Sequence, residues 1–358
     1  MPASATDSVE NRTVADAVRQ AIADKTPLCI RGGNTKSFYG RHTDGAILDT
    51  EVCAGIVNYA PTELVITARA GTKLSELQAV LGERNQMFAF EPPAFGAGAT
   101  IGGVVASGLS GPRRAYAGAL RDFLLGVRIV NGQGEILRFG GEVMKNVAGY
   151  DVSRLMAGAM GTLGIITEVS LKVLPKPPVE QTLGFDLDAD EAILRLNRWA
   201  GQPLPLSASC YDGNKLYVRL SGSVNGVRSA IQKLAADSKS DAGDFWLQVR
   251  EQQTEFFQSA MPLWRVSLAP ATPMLDLPGR WLIEWGGAQR WLLSDDDPSC
   301  IRSVVRETGG HATLFRGGDR QGDVFEPLSP ILLRIHRNLK DAFDPHRLLN
   351  PGRLYREF

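Results

Sequence analysis

The amino-acid sequence predicts an α+β protein made of two units. Three observations point there. Short β-rich runs alternate with short amphipathic helical runs through the first half of the chain. Three prolines crowd into four positions within PKPPVE (175–180), which stops sheet and helix alike and reads as a stiff connector. The length of 358 residues exceeds what one small core organises.

The elements follow in order. VADAVRQAIADK sets Val14, Ala17, Val18 and Ala21 at helical spacing, and Pro27 ends the pattern. PLCIRGGNTKSFYG then runs a short apolar stretch into paired glycines, a strand delivering the chain to a loop. GAILDT, the runs within IVNYAPTELVITARAGT, and KLSELQAVLGERNQ continue as strands and a helix, with Thr72 or Ser75 placed to cap the helix. In ALRDFLLGVRIVNGQGEILRFG two β-rich runs flank residues 131–134, a hairpin signal. IITEVSLKVLP alternates apolar and polar residues and stops at Pro175. Beyond the prolines, QTLGFDLD, AILRLNRWAG, SASCYDGNKLYVRLSG and VNGVRSAIQKLAAD give the order β-α-β-β-α-β of a smaller, ferredoxin-like unit. SPILLRIHRNLKDAFD is helical again, and DPHRLLNPGRLY is rich in turns.

Composition narrows the function. Lys plus Arg equal Asp plus Glu at 39 each, so no net field draws nucleic acid or an anionic bilayer. Cys29, Cys53, Cys210 and Cys300 stand alone, without the spacing of a disulfide framework, an iron–sulfur cluster or a metal site. No apolar run reaches the roughly 18 residues of a membrane helix. The expectation is a cytoplasmic protein without direct membrane insertion, any membrane being met through partner subunits.

The chemistry lies in three glycine-rich segments: RGGNTK (31–36), GAGATIGGVVASG (96–108) and GAMGTLGII (158–166). Glycine opens positive φ and close approach, and successive exposed N–H groups make a concavity for an anion such as a diphosphate. The common nucleotide loops do not fit. Gly96, Gly98 and Gly102 miss the G-x-G-x-x-G spacing, and Thr35 stands where a Walker loop needs glycine.

RGGNTK, PPAFGAGATIGGVVASGLSGPRRAYAG, KNVAGYDVSRLMAGAMGTLGIITEVSLKVLP and FDPHRLLNPGRL together resemble the FAD-binding domain of the vanillyl-alcohol oxidase type. Within it the chain is most similar to the glycolate oxidase group of 2-hydroxyacid oxidoreductases, and to their smaller FAD-binding (E) subunits in particular. The resemblance covers roughly residues 27–178 and the last fifteen or so. It implies a two-subdomain FAD-binding domain with a smaller cap: residues 1–178 bind FAD, 179–318 form the cap, and 319–358 return to the first domain. It also implies that Arg31, Gly32, Gly33, Asn34, Thr35 and Lys36 face the diphosphate. Ala99, Thr100, Gly102, Gly103, Ser107 and Gly108 would line flavin and diphosphate from the other side. Gly161, Thr162, Gly164 and Ile166 would contact the remaining cofactor, and Asn350 and Arg353 would approach the isoalloxazine. Relatives that attach FAD covalently through the first loop carry histidine where this chain has Asn34, so FAD is expected to be non-covalent.

Oxidising a 2-hydroxy acid needs a base, a cation for the carboxylate and a hydride acceptor. Related catalytic subunits use a histidine-rich metal motif, whereas the comparable stretch here, GGHATLFRGGDRQGD, has His311 alone. His311 reads as a strand residue, and Arg316 and Arg320 as solvent or partner contacts or carboxylate binders. Arg113 and Arg114 are candidates for a phosphate or small anion. Tyr150 and Asp151 either sit near the flavin or stabilise the loop. Trp246, Trp264, Trp281, Trp285 and Trp291 serve a core or, where exposed, an interface. No catalytic residue and no metal ligand is assigned. The expected function is an FAD-binding subunit supporting glycolate oxidation to glyoxylate beside a catalytic flavin subunit and an iron–sulfur subunit. The alternatives are a free-standing oxidase of a small 2-hydroxy acid and a flavin-free scaffold.

Overall fold

The computed structural model describes residues 8–141, 150–240 and 243–358. The first helix, α1 (Val9–Asp24), starts at Ser8, whose hydroxyl accepts the Asn11 N–H. Val14, Ala15, Val18 and Ala21 form its buried stripe; Ala17, expected there, faces solvent and Ala15 takes its place. The stripe covers β1 (Leu28–Arg31) and β2 (Ala46–Asp49), which pair in parallel. Leu349 bridges to Leu28 in parallel, so the C-terminal tail lies beside β1.

A five-stranded antiparallel sheet follows, in the order β3 (Ile56–Ala60), β4 (Val65–Arg69), β8 (Ile165–Lys172), β6 (Leu124–Val130) and β7 (Ile136–Gly140). The hairpin expected around residues 131–134 joins β6 to β7. Helices α2 (Leu74–Glu83), α3 (Ile101–Ser107), α4 (Arg114–Ala117), α5 (Leu120–Phe123) and α6 (Tyr150–Met156) accompany this sheet. Its core includes Ile66, Leu77, Phe90, Val105, Ile129 and Val169. Neither Thr72 nor Ser75 caps α2. Lys73 occupies the N-cap without a side-chain bond, because the Thr72 hydroxyl is spent on the carbonyls of Gly55 and Arg69. Pro175 ends a two-residue strand, β9 (Leu174–Pro175), paired with β5 (Gln86–Met87), so the first connector proline still accepts a sheet edge.

The second sheet is one continuous antiparallel sheet of eight strands. Its first half is β10 (Val179–Asp186), α7 (Ala189–Ala200), β11 (Leu206–Tyr211), β12 (Lys215–Gly222), α8 (Val224–Leu234) and β13 (Ser238–Ser240), ordered β13-β10-β12-β11. That half is the β-α-β-β-α-β unit the sequence predicts. The other half comprises α9 (Phe245–Arg250), β14 (Leu263–Ser267), β15 (Arg280–Glu284), β16 (Gln289–Leu293), α10 (Pro298–Glu307) and β17 (His311–Arg316), its strands continuing the sheet as β15-β16-β14-β17. A single ferredoxin-like unit therefore accounts for only half the sheet. Trp246, Trp264 and Trp291 are buried in it and Trp281 and Trp285 half-buried, so the tryptophans mainly serve packing.

The last helix, α11 (Pro330–Phe343), is capped by the Ser329 hydroxyl and returns Leu339 and Phe343 to the five-stranded sheet's core.

Candidate functional site

The loop after β1, α3 with its Thr100 cap, the turn before β8 and the C-terminal tail meet around one cleft. Arg31, Gly32, Gly33, Asn34, Thr35, Lys36, Thr100, Gly103, Ser107, Asn350 and Arg353 line its open part. Gly102, Gly161, Gly164 and Ile166 line an inner recess that shares Gly32, Gly103 and Asn350 with it. Three residues expected at the cleft are withheld from it. Ala99 is buried, with its carbonyl bonded to the Leu74 N–H; Gly108 terminates α3; Thr162 is buried, bonding back to the Ala159 carbonyl.

The loop's shape follows from its glycines. A Cβ on Gly33 would stand 1.5 Å from the Gly98 carbonyl oxygen, and one on Gly32 would stand 2.5 Å from the Thr100 hydroxyl. The two glycine-rich segments thus touch backbone to backbone, and Asn34 turns the chain at a φ of 53°. As a result, none of the five successive N–H groups from Gly32 to Lys36 donates to an acceptor among the described residues. The buried hydroxyl of Thr43, also at the cleft, has no partner either. A row of unspent donors around a cleft is the physical signature of an anion site.

Side chains hold the walls in place. Asn350 is buried: its carboxamide oxygen accepts the Ile30 N–H at 2.8 Å and its amide donates to the Met160 carbonyl at 2.7 Å. Arg353 donates to the carbonyls of Arg41 at 2.9 Å and Ser37 at 3.0 Å. Both line the cleft while their polar atoms brace its walls: Asn350 ties β1 to the turn before β8, and Arg353 holds the chain that follows the first loop. Lys340, fully buried, donates to the carbonyls of Thr162 at 2.8 Å and Leu349 at 2.9 Å and pairs with Asp344 at 2.7 Å. It clamps the turn before β8 to the tail, a role that its place among helical residues did not betray. Lys36 donates to the Thr35 hydroxyl and the Ala94 carbonyl, and burial pulls its ammonium down to about 8, against the opposing pull of Glu251. Cys29, Ile30, Ser37, His42, Thr43, Thr50, Ala106 and Met160 also line the site; most flank the glycine motifs, the one signal that could have included them.

The other residues singled out by sequence lie elsewhere. Arg113 pairs with Glu91 and Glu180, and Arg114 stacks on Trp285 at 4.5 Å, so neither meets the cleft. His311 opens β17 opposite Ser267, with burial and the Arg265 charge lowering its pKa. Arg316 lies over the Phe38 ring and donates to Gln252, and Arg320 donates to the carbonyls of Gly40 and Leu314. Both arginines are committed within the fold. No group of three or more His, Cys, Asp or Glu converges among the described residues. Asp151 is exposed on α6, whereas residues 145–149 and the Tyr150 side chain lie outside what is described.

An FAD binding domain model matches residues 9–140. The chain is 50% identical to the glycolate oxidase subunit GlcE of Escherichia coli (strain K12) over 347 residues, covering 97% of this chain and 98% of that one. The chain belongs to the GlcE family. To the glycolate oxidase subunit GlcD of Bacillus subtilis (strain 168) it is 34% identical over 162 residues, 44% of this chain and 34% of that one. The fold is that of p-cresol methylhydroxylase, with a TM-score of 0.69 at 16% identity, covering 97% of this chain and 88% of that structure.

This GlcE-family chain is thus an FAD-dependent oxidoreductase subunit with a vanillyl-alcohol oxidase type fold and FAD as its cofactor. The residues present fit that group. Five free amides and an unpartnered buried hydroxyl supply donors for phosphate and hydroxyl oxygens, and the glycine contacts leave no room for side chains in their place. Among the described residues no helix is long and apolar enough to cross a membrane.

Proposed function

We propose that this chain is the FAD-holding subunit of a glycolate oxidase-type complex, in which glycolate is oxidised to glyoxylate beside a catalytic flavin subunit and an iron–sulfur subunit. The observation that carries this reading is the cleft with its unspent amides from Gly32 to Lys36. These amides and Lys36 would hold the diphosphate; Thr100, Gly102, Gly103 and Ser107 would form the opposite wall; Gly161, Gly164 and Ile166 would close the recess. Asn350 and Arg353 would border the isoalloxazine while bracing the cleft walls. When bound, FAD supplies a two-electron acceptor. Asn34 stands where relatives that attach FAD through the first loop carry histidine, which supports non-covalent binding. Residues 1–178 and 319–358 form the FAD-binding domain, with 179–318 as the cap. Any membrane is met through partner subunits.

A second reading is oxidation of a small 2-hydroxy acid by this chain alone. Anaerobic glycolate added to the purified chain separates the readings. The flavin absorbance is expected to persist with the chain alone and to bleach once a GlcD-type subunit is present; bleaching of the chain alone would establish the second reading.

A further inference from the structure

Residues 91–95, Glu-Pro-Pro-Ala-Phe, run from the buried Phe90 into the second glycine-rich segment, and the two prolines have no N–H to tie them down. Glu91 and Phe95 hold positive φ values of 47° and 53°, which residues of their size adopt only when the surroundings impose it. Those surroundings come from the eight-stranded sheet and its helices. At one end of the segment Arg219 of β12 donates to the Glu91 carboxylate at 2.8 Å. At the other stands Glu251, just after α9, whose Trp246 and Val249 are buried with Leu263, Leu282 and Trp291. The Glu251 carboxylate accepts the Ala94 N–H at 3.0 Å, the Phe95 N–H at 2.7 Å and the Arg250 Nε at 2.7 Å. The same segment meets the cleft. The Ala94 carbonyl accepts the Thr35 hydroxyl at 2.7 Å and the Lys36 ammonium at 3.1 Å, and that ammonium lies 5.8 Å from the centre of the Phe95 ring. A single residue, Ala94, thus separates Glu251 from two side chains of the first loop.

We propose that Glu251 is a positioning residue for FAD: by fixing Ala94 and Phe95 it sets Thr35 and Lys36 against the diphosphate, so that the unit of the eight-stranded sheet shapes the cofactor loop from outside the cleft. The inference rests on the reading that residues 32–36 face the diphosphate. A carboxylate suits the task, since it only accepts and has room for three donors, whereas a carboxamide offers one acceptor oxygen and no charge. Its charge also reaches Lys36, opposing the burial that lowers that ammonium. The other charged or titratable groups placed around Lys36 do not share this role. Arg250 is paired with Glu251 itself, and Arg316 of β17 lies 6.0 Å from the Phe95 ring centre. Arg353 of the tail donates to the Ser37 carbonyl, and His42 is paired with Asp44 at 2.9 Å. Removing the Glu251 charge therefore acts on Lys36 in two ways, through the Ala94 carbonyl that holds it and through the field that keeps it protonated.

The test titrates FAD into the full chain, stripped of flavin, by fluorescence across the range in which Lys36 loses its proton. It compares wild type with Glu251→Gln, Glu251→Asp, Lys36→Met and the double variant Glu251→Gln/Lys36→Met. Glu251→Gln is expected to bind FAD at least about tenfold more weakly at neutral pH, and to move the break in the affinity profile down from about 8 by about half a pH unit or more. In the double variant the penalty of Glu251→Gln is expected to shrink at least about threefold, because much of its route to FAD passes through Lys36. Glu251→Asp keeps the charge and shortens the reach, so it is expected to weaken binding with a smaller shift of the break. A residue that merely holds two units together would lower affinity or melting temperature without moving the break. An unmoved break in Glu251→Gln, or penalties that multiply in full in the double variant, would overturn the inference and leave the FAD site as described. Where Glu251→Gln does not fold, Glu251→Asp carries the test, and wild-type FAD affinity in it would overturn the inference. Wild-type affinity in Lys36→Met would overturn the placing of residues 32–36 at the diphosphate, and this inference with it.

Discussion

Replacing Lys340 by Met removes a charge from a site where neither partner meets water. Lys340 and Asp344 are both wholly buried, and the ammonium also serves the carbonyls of Thr162 and Leu349. The variant leaves an uncompensated carboxylate and two acceptors short of a donor, while the apolar chain of Met fills much of the lysine's volume. Breaking a buried pair from one side costs about 3–5 kcal/mol. At about 2–4 °C for each kcal/mol, even the lower figure lowers the melting temperature by about 6–12 °C. Asp341→Ala on the same helix breaks an exposed pair with Arg347 and is expected to cost under about 1 kcal/mol. Because the orphaned carbonyls lie in the two segments that bound the cleft, Lys340→Met is also expected to raise the FAD dissociation constant at least about tenfold. Differential scanning fluorimetry and flavin-fluorescence titration read the two effects. A melting temperature within about 2 °C of wild type with unchanged FAD affinity would show that Lys340 does not clamp the cleft walls.

Three further outcomes follow from the same geometry. Lys36 has a value of about 8 in the folded chain against an ordinary 10.5, so above pH 8 an incoming diphosphate must recruit a proton to it. FAD affinity, followed by fluorescence titration, is therefore expected to be flat below pH 8 and to fall by up to about tenfold per pH unit above it, and Lys36→Met is expected to abolish that slope. Glu284 rises from 4.5 to about 7 by burial, so between those values the folded chain holds a proton that the unfolded chain releases, and stability falls as pH rises. Glu284→Gln is expected to flatten that window and to be more stable at pH 8 by up to about 3 kcal/mol, measured by urea denaturation. Gly33→Ala, forcing a Cβ to within 1.5 Å of the Gly98 carbonyl oxygen, is expected to yield a colourless chain that FAD does not reconstitute, as judged by its visible spectrum.

Much of the site is legible in the sequence because backbone geometry, rather than side-chain chemistry, builds it. Glycines at 32, 33, 102 and 103 are written in the chain, and their close contacts account for the shape of the cleft. Side-chain roles are less legible. Asn350 and Arg353 look like cofactor ligands by position, but their hydrogen bonds run to backbone carbonyls and N–H groups that only the fold brings near. Lys340 reads as an ordinary solvated helix residue until the tail's Leu349 and the turn at Thr162 close around it. Arg113, two residues beyond Gly111, finds Glu91 and Glu180, and the pairing with Glu180 crosses from one sheet's unit to the other. The eight-stranded sheet is half legible, since β14 and β15 are separated by an irregular stretch carrying Pro270, Pro273 and Pro278 that obscures the alternation.

The cleft bounded by residues 31–36 is proposed to hold FAD without a covalent bond. The most direct measurement is the visible spectrum of the purified chain, taken before and after acid precipitation with the supernatant analysed for FAD. A yellow chain that releases its flavin as intact FAD in a one-to-one ratio is the expected result. A chain that is colourless and refuses reconstitution, or whose flavin stays in the pellet, would rule out non-covalent FAD in this cleft.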